Sequence, residues 1–599
     1  MKEGRYNHLK LDSFSSLLLG SSSFICLQNY LSNHINGTAG TFSENLSLEK
    51  SRCPDPGIRK KIRKTAMVPN RVEYILSGGQ RIVGSYCHSE CELAGLASLC
   101  LTQWWICGLL KTISQHIVTI VVGDLKLRNV VIGQELKYMV AGFSLGMTWS
   151  CVSQTKMVEK TKMAKEKKAQ MVHSPILTYF SMISLLSLCP PFVILLWYTM
   201  VHADGSIYQT FDLFRQNGLQ GFYDIWPKPT MTAWKIIACY GAFEAALQLW
   251  LPGKRVEGPI SPSGNRPVYK ANGMAAYAVT LITYVSLWRF GIINPAMIYD
   301  HLGEIYSALI FGSFIFCILL YLKGHLAPSS TDSGSSGNAI IDFYWGMELY
   351  PRIGKNFDIK VFTNCRFGMM SWAVLALTYC IKQYETYGKA SDSMLVNTAL
   401  MLIYITKFFW WEAGYWNTMD IAHDRAGFYI CWGCLVWVPS IYTSPGMYLV
   451  NHPVNLGIQL SLYILLAGIL CIYVNYDCDR QRQEFRRTNG KSLVWGKAPS
   501  KITASYTTSS GETKTSLLLT SGWWGISRHF HYLPEIMAAF FWTVPALFSH
   551  FLPYFYVVFL TILLFDRAKR DDDRCRSKYG KYWKLYCQKV PYRIIPGVY

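Results

Sequence analysis

The run LLLTSGWWGISRHFHYLPE, residues 517–535, concentrates side chains suited to holding a charged, flat ligand. Gly522 and Gly525 let the backbone approach such a ligand closely, while Trp523, Trp524, His529, His531 and Tyr532 supply stacking faces and donors. Two basic segments accompany it, FRRTNGK at 485–491 and DRAKRDDDRCRSKYGKYWKLYC at 566–587. Guanidinium forks match phosphate oxygens, and aromatic walls match an adenine or nicotinamide ring. The same residue types also describe the margin of an ordinary membrane protein, basic on the cytoplasmic side with Trp and Tyr at the interface. No G-x-G-x-x-G follows a strand, so no Rossmann domain is expected.

A second polar cluster, EAGYWNTMDIAHDRAGFY at 412–429, holds Glu412, Asp420, His423 and Asp424. On a helix, positions 420, 423 and 424 share a face, because i, i+3 and i+4 are neighbours. They fit either a polar cap joining two helices or the wall of a substrate pocket. Cys87-His88-Ser89-Glu90-Cys91 lacks a second ligand pair at zinc spacing, so no metal site is expected.

The elements that must position these residues follow from composition. Of 599 residues, 51% are hydrophobic, 15% aromatic and only 16% charged, which excludes a disordered chain. Lys and Arg number 58 against 37 acidic residues, a net charge of +21. In so apolar a chain this points to basic loops beside anionic lipid and not to nucleic acid. The 18 cysteines fall largely within apolar runs, as at Cys189, Cys239, Cys317 and Cys471, and read as small buried hydrophobes.

Leu177 to Met200 contains no charge and is long enough to cross a bilayer. Similar stretches follow at roughly 231–251, 273–293, 303–322, 367–381, 394–411, 428–449 and 455–476. The last apolar block, 533–565, would make a helix of about 50 Å, well beyond a ~30 Å hydrocarbon core. Pro545, Ser549, His550 and Pro553 interrupt it, so a helical hairpin is expected, and about ten transmembrane helices in an all-α, polytopic membrane protein. The stretch 156–168 has six Lys and two Glu and should face the cytoplasm. Alternation then places 252–272, 323–366, 412–427, 477–532 and the C-terminal tail on that side. Residues 477–501 carry seven basic and three acidic residues, and 566–599 carry ten and four. Glu244, Lys407 and Glu412 lie in or at the ends of apolar runs, where a charge costs roughly 2.5–3.5 kcal/mol to insert. Structural ion pairing and the polar wall of an internal cavity both account for them.

Residues 1–155 lack this organisation. They hold two short apolar stretches, the basic run RKKIRK at 59–64, and sequon matches at Asn36 and Asn45, without a clean signal peptide. Residues 1–162 are therefore expected to be an atypical extension, poorly ordered or dispensable, ahead of a functional unit at 163–599.

SGWWGISRHFHY resembles the C-terminal signature of the sterol reductase family, which includes Δ14- and Δ7-sterol reductases and the lamin B receptor. IIDFYWGMELYPRIG at 340–354 resembles a second signature, an Asp followed by Gly-x-x-Leu-Asn-Pro-Arg, and VPYRIIPGVY resembles the family's ending. The likeness covers 163–599 and is strongest to the Δ7-reducing plant branch. It implies a ten-span NADPH enzyme of the endoplasmic reticulum membrane, C-terminus cytoplasmic, taking a sterol from the bilayer among other sterol-pathway membrane enzymes. It further implies cofactor contacts from Arg482, Arg486, Leu519, Trp524, His531, Tyr532, Arg567, Asp571, Cys575, Arg576, Ser577, Lys578, Tyr579 and Tyr586, with Arg482 and Arg486 on the adenosine 2′-phosphate. His531 stands where the family commonly has Asn, and an imidazole cannot supply an amide's paired donor and acceptor. Tyr350 replaces the Asn of the Asn-Pro-Arg element, a candidate for substrate subtype.

The implied reaction reduces the C7–C8 bond of a 5,7-diene sterol. Such a substrate enters from lipid while the dinucleotide arrives from water, so the site must lie where the bundle meets the cytoplasm. With no carbonyl to polarise, the diene needs protonation before it accepts hydride. Tyr532 and Asp571 are the candidate donors, followed by Glu412 and Asp420. Two alternatives share the scaffold: reduction of a Δ14 bond, or a sterol-binding membrane scaffold without catalysis.

Overall fold

A computed structural model of the chain describes residues 175–599, apart from 262 and 508–510, together with one separate hairpin, Val72–Ile75 paired with Arg81–Gly84. The expectations for Asn36, Asn45, RKKIRK, Cys87, Cys91 and the extension as a whole otherwise lie outside the described residues.

From Pro175 onward the unit is mainly helical, and the apolar stretches coincide with helices. Four of these are long and apolar enough to cross a bilayer by length and composition: Tyr179–His202, Leu302–Leu326, Asp392–Trp410 and Ile458–Arg487. Met231–Trp250, Gly273–Arg289 and Met370–Tyr387 are helices too. Ile207–Ile225, an element not anticipated from the sequence, is helical around a kink at Gly218. The block at 533–565 breaks where its prolines stand. Tyr532–Thr543 gives way to the 3₁₀ turns Val544–Ala546 and Leu552–Tyr554 before Phe555–Tyr579 begins. Pro545 and Pro553 each lack the N–H that would continue the ladder.

Two helices matter most for the site because they outrun their apolar portions. Ile458–Arg487 has 30 residues, about 45 Å, so its last turns carry Asp477, Arg482 and Arg486 beyond a ~30 Å core. Phe555–Tyr579 likewise turns from apolar to charged after Phe565. Between them the chain forms an antiparallel hairpin, Lys501–Thr507 with Thr513–Leu519, in which Lys501 pairs Leu519. Its buried face, Ile502, Ala504 and Leu518, packs on Trp583, Tyr586 and Val590 of the C-terminal segment. Among the described residues, strands pair only as two-stranded antiparallel hairpins.

Two segments wind as π-helix, Phe362–Met369 and Gly433–Tyr442, and they pack together. A Cβ on Gly368 would sit 2.8 Å from the Cys434 carbonyl, so glycine permits this approach. The widened turn at 433–442 presents Cys434, Trp437 and Tyr442 to the interior.

Candidate functional site

A cavity of about 1180 Å³ runs through the bundle. Its lining includes an apolar set, Leu185, Cys189, Trp437, Phe559 and Leu563, and a cationic and aromatic set, Arg482, Arg486, Trp524, Arg574, Lys578 and Tyr586. Arg486, Trp524 and Tyr586, far apart in sequence, therefore share one cavity.

The 520–532 segment is built as a rigid shelf. Gly522 has φ +64°, and a side chain there would collide with Gln481 and Val494. Trp523 donates its indole N–H to Asp477 at 2.8 Å and stacks on Phe530 at 4.9 Å. Trp524 donates to the Cys478 carbonyl at 2.8 Å, and the Arg482 guanidinium lies 4.2 Å from its ring centroid. Tyr586 donates to the Trp524 carbonyl at 3.3 Å. The two indoles are thus fixed to the Ile458–Arg487 helix by the residues that precede its basic turns.

The other side of the shelf is tied to the C-terminal segment. Arg528 and His529 donate backbone N–H groups to Tyr592 and Arg593 carbonyls at 3.0 and 2.7 Å, and Ser527 Oγ donates to Ile594 at 2.8 Å. Asp572, almost wholly buried, lies beneath them and accepts from Trp583 at 3.0 Å, Arg576 at 3.1 Å and Arg593 at 3.4 Å. This strapping sets His529, His531 and Tyr532 on the cavity wall. His529 stacks on Tyr532 at 5.3 Å and stands 3.7 Å from Asp571, to which Arg574 donates at 2.5 Å.

Burial pushes His529 down to about 4 and His531 well below the ordinary histidine range, with the Arg482 cation adding to the effect. Both imidazoles are neutral at neutral pH. Asp571, past the apolar stretch, is raised by burial but lowered more by Arg574, His529 and Arg482, so its carboxyl ends below the usual range. It is an anion, better fitted to orient His529 than to give up a proton.

Of the residues implied by the resemblance, Arg482, Arg486, Leu519, Trp524, His531, Tyr532, Arg567, Asp571, Cys575, Lys578, Tyr579 and Tyr586 all line the cavity. Arg576 and Ser577 do not. They point outward, and Arg576 is 61% exposed while pairing with Asp572. Asp420 lines the cavity paired with Arg567. Glu412 does not line it: it is sealed in an ion pair with Arg366 at 2.6 Å and accepts from the Gly273 N–H at 2.8 Å. The shared helical face expected for 420, 423 and 424 is absent, because the helix Met419–Ala422 ends before His423. Asp420 and His423 reach the cavity regardless, while Asp424 is buried beside it. Tyr350 is not in the wall. Its ring lies 5.6 Å from the Lys360 ammonium, which donates to the Leu349, Ile421 and Asp424 carbonyls at 3.0, 2.8 and 2.5 Å. Among the charges flagged in apolar runs, Glu244 accepts from Thr280 at 2.7 Å, while Lys407 lines the cavity.

The site also contains groups that sequence reasoning passed over. Glu535 accepts from the Tyr404 hydroxyl and pairs with Lys407 at 3.9 Å, all three on the wall. The available signal was Glu535 three residues after Tyr532, on the same helical face.

The rim's chemistry suits a phosphorylated dinucleotide. Arg486 has no ion-pair partner among the described residues, and Arg574 Nη1, Arg567 Nε and His531 Nδ1 make no hydrogen bond. These unpartnered nitrogens line the same cavity as Arg482 and Trp524.

Residues 155–599 match the ergosterol biosynthesis ERG4/ERG24 family. The chain is 83% identical over 431 residues to a 7-dehydrocholesterol reductase of Arabidopsis thaliana, covering 72% of this chain and all of that relative. It is 36% identical to a 7-dehydrocholesterol reductase of Xenopus laevis, over 70% of this chain and 93% of the relative. It is 35% identical to a Delta(14)-sterol reductase of Methylotuvimicrobium alcaliphilum, over 70% and 95%. The cavity and these matches concern the same stretch of sequence, and the chain belongs to the ERG4/ERG24 family of sterol reductases.

Proposed function

We propose that this chain reduces the C7–C8 double bond of 5,7-diene sterols with NADPH, in sterol biosynthesis at the endoplasmic reticulum membrane. The observation that carries this reading is the cavity whose lining combines an apolar set with a cationic, indole-bearing one. The 83% identity to a 7-dehydrocholesterol reductase, against 35% to a Δ14 enzyme, supports the choice of double bond.

Arg482 and Arg486 would hold the 2′-phosphate, with Leu519, Trp524, Cys575, Lys578, Tyr579 and Tyr586 along the rest of the cofactor. When bound there, NADPH supplies the hydride that C7 receives. The protein's own task is the proton. Tyr532 delivers it to C8, oriented by the stacked His529 and behind it Asp571, leaving an allylic cation over C7 and C5 that faces aromatic walls. The enclosing bundle keeps water from competing for that cation.

The basic segments 477–501 and 566–599 support a cytoplasmic C-terminus, and the helices with their break at Val544–Tyr554 support a ten-span arrangement. The functional unit begins near Met163: the family match starts at 155, and the Arabidopsis relative is covered in full by 431 residues. Protein comprising 163–599 should consume NADPH when a 5,7-diene sterol is added and stay silent without sterol. Turnover of an 8,14-diene alone would replace this reading with Δ14 reduction.

A further inference from the structure

On the cavity wall, beside the segment that carries His531 and Tyr532, three polar side chains meet. Glu535 accepts from the Tyr404 hydroxyl, Lys407 stands 3.9 Å from the other carboxylate oxygen, and the same ammonium lies 4.7 Å from the Tyr404 ring centroid. All three line the cavity together with Trp372, Tyr442 and Tyr556. The Trp372 ring packs 5.4 Å from Tyr404, and its indole N–H, on a side chain only 1% exposed, makes no hydrogen bond. Asn475, 3% exposed and also on the wall, donates to the His531 carbonyl but leaves its Oδ1 unpartnered.

Charges and unspent donors in a greasy pocket are expensive unless something pairs with them. The island offers acceptors on Glu535 and donors on Lys407 and Trp372. A single hydroxyl, which both donates and accepts, meets that set. We propose that Tyr404, Lys407 and Glu535 form the subsite for the hydroxyl group of the sterol substrate, fixing its rings against the reacting groups. This inference rests on the sterol reductase reading above. Glu535 lies three residues beyond Tyr532, roughly 4.5 Å along the helix axis. A hydroxyl anchored about one helical turn from Tyr532 holds the sterol rings beside that residue.

The test compares a 3-hydroxy-5,7-diene sterol with its 3-deoxy counterpart on the full chain. Equilibrium binding is read by quenching of tryptophan fluorescence, and turnover by NADPH consumption. The wild-type protein should bind and turn over the hydroxy sterol about 10- to 100-fold better than the deoxy sterol, the range for a lost hydrogen bond to a charged group. Tyr404→Phe and Glu535→Gln should bring that ratio toward one. A 3-methyl ether, which accepts but cannot donate, should lose affinity in the wild type and lose little more in Glu535→Gln. Equal binding of hydroxy and deoxy sterols by the wild type overturns the subsite, and so does a preference that survives in both variants. The wild-type comparison needs no variant to fold. Selective binding of the hydroxy sterol with no turnover of either would sink the reductase reading and leave the subsite standing.

Discussion

Two carboxylates close together in sequence, Glu412 and Asp420, each pair with an arginine, yet they belong to different parts of the molecule. Glu412 and Arg366 are sealed between helices, their side chains 4% and 0% exposed, with Asn272 and the Gly273 N–H completing the cluster. Asp420 and Arg567 stand on the cavity wall. Residue types are alike in the two cases, a carboxylate facing a guanidinium. Enclosure distinguishes them: one pair is closed off among its protein neighbours, and the other faces the cavity.

The largest effect separating the two should come from Glu412→Ala. Removing one partner of a sealed pair leaves Arg366 charged and unpaired, which costs about 3–5 kcal/mol. Thermal unfolding in detergent should show a large loss, and the double variant Arg366→Met/Glu412→Leu should recover most of it. Recovery of activity without recovery of stability would move Glu412 back to the site. The buried imidazoles come next. His529 sits at about 4 in the folded protein and near the ordinary 6.5 when unfolded, so the unfolded chain binds more protons between those values. Its contribution is full above pH 6.5 and is lost as pH falls toward 4, on the order of 3 kcal/mol. His529→Gln should flatten that part of the stability curve, and an unchanged acid limb would show that His529 is not buried as described.

Much of this organisation was legible in the sequence. The helices were readable because uninterrupted apolar runs leave few alternatives, and the break near Val544 because Pro545 and Pro553 cannot donate to a helix ladder. Part of the rim was readable because Arg486, Trp524 and Tyr586 fall in the three segments singled out by residue type, whereas Arg482 was reached only through the family resemblance. The roles of Glu412 and Arg576 were not, since facing inward or outward depends on tertiary packing that i, i+3 spacing does not encode. The hairpin carrying Leu519 was also missed, although Ile502, Thr503, Tyr506 and Thr507 favour a strand; what seats it is the cover supplied by Trp583 and Tyr586. The island at Tyr404 and Glu535 joins residues 131 apart in sequence, a pairing no local pattern reports.

Asp420→Asn separates the cavity-facing pair from the sealed one. It keeps the shape and removes the charge opposite Arg567, so stability should fall little while kcat drops roughly thirtyfold, within the range for a lost charge-assisted hydrogen bond. A stability loss as large as that of Glu412→Ala would make Asp420 a second structural pair.

The smallest effect tests the division between wall and exterior at the rim. Arg486 lines the cavity without an ion-pair partner among the described residues, whereas Arg576, ninety residues later, points away from it and pairs with Asp572 at 3.1 Å. Both guanidiniums are solvent-exposed, so a single phosphate contact at Arg486 is worth only about tenfold. Arg486→Ala should raise KM for NADPH by about that factor and leave KM for NADH nearly unchanged, because only the former carries the 2′-phosphate. Arg576→Ala should shift neither by more than about twofold. If the two variants behaved alike, net charge at the rim, and not a positioned guanidinium, would set cofactor affinity. Raising the ionic strength would then abolish the preference for NADPH in the wild-type protein as well.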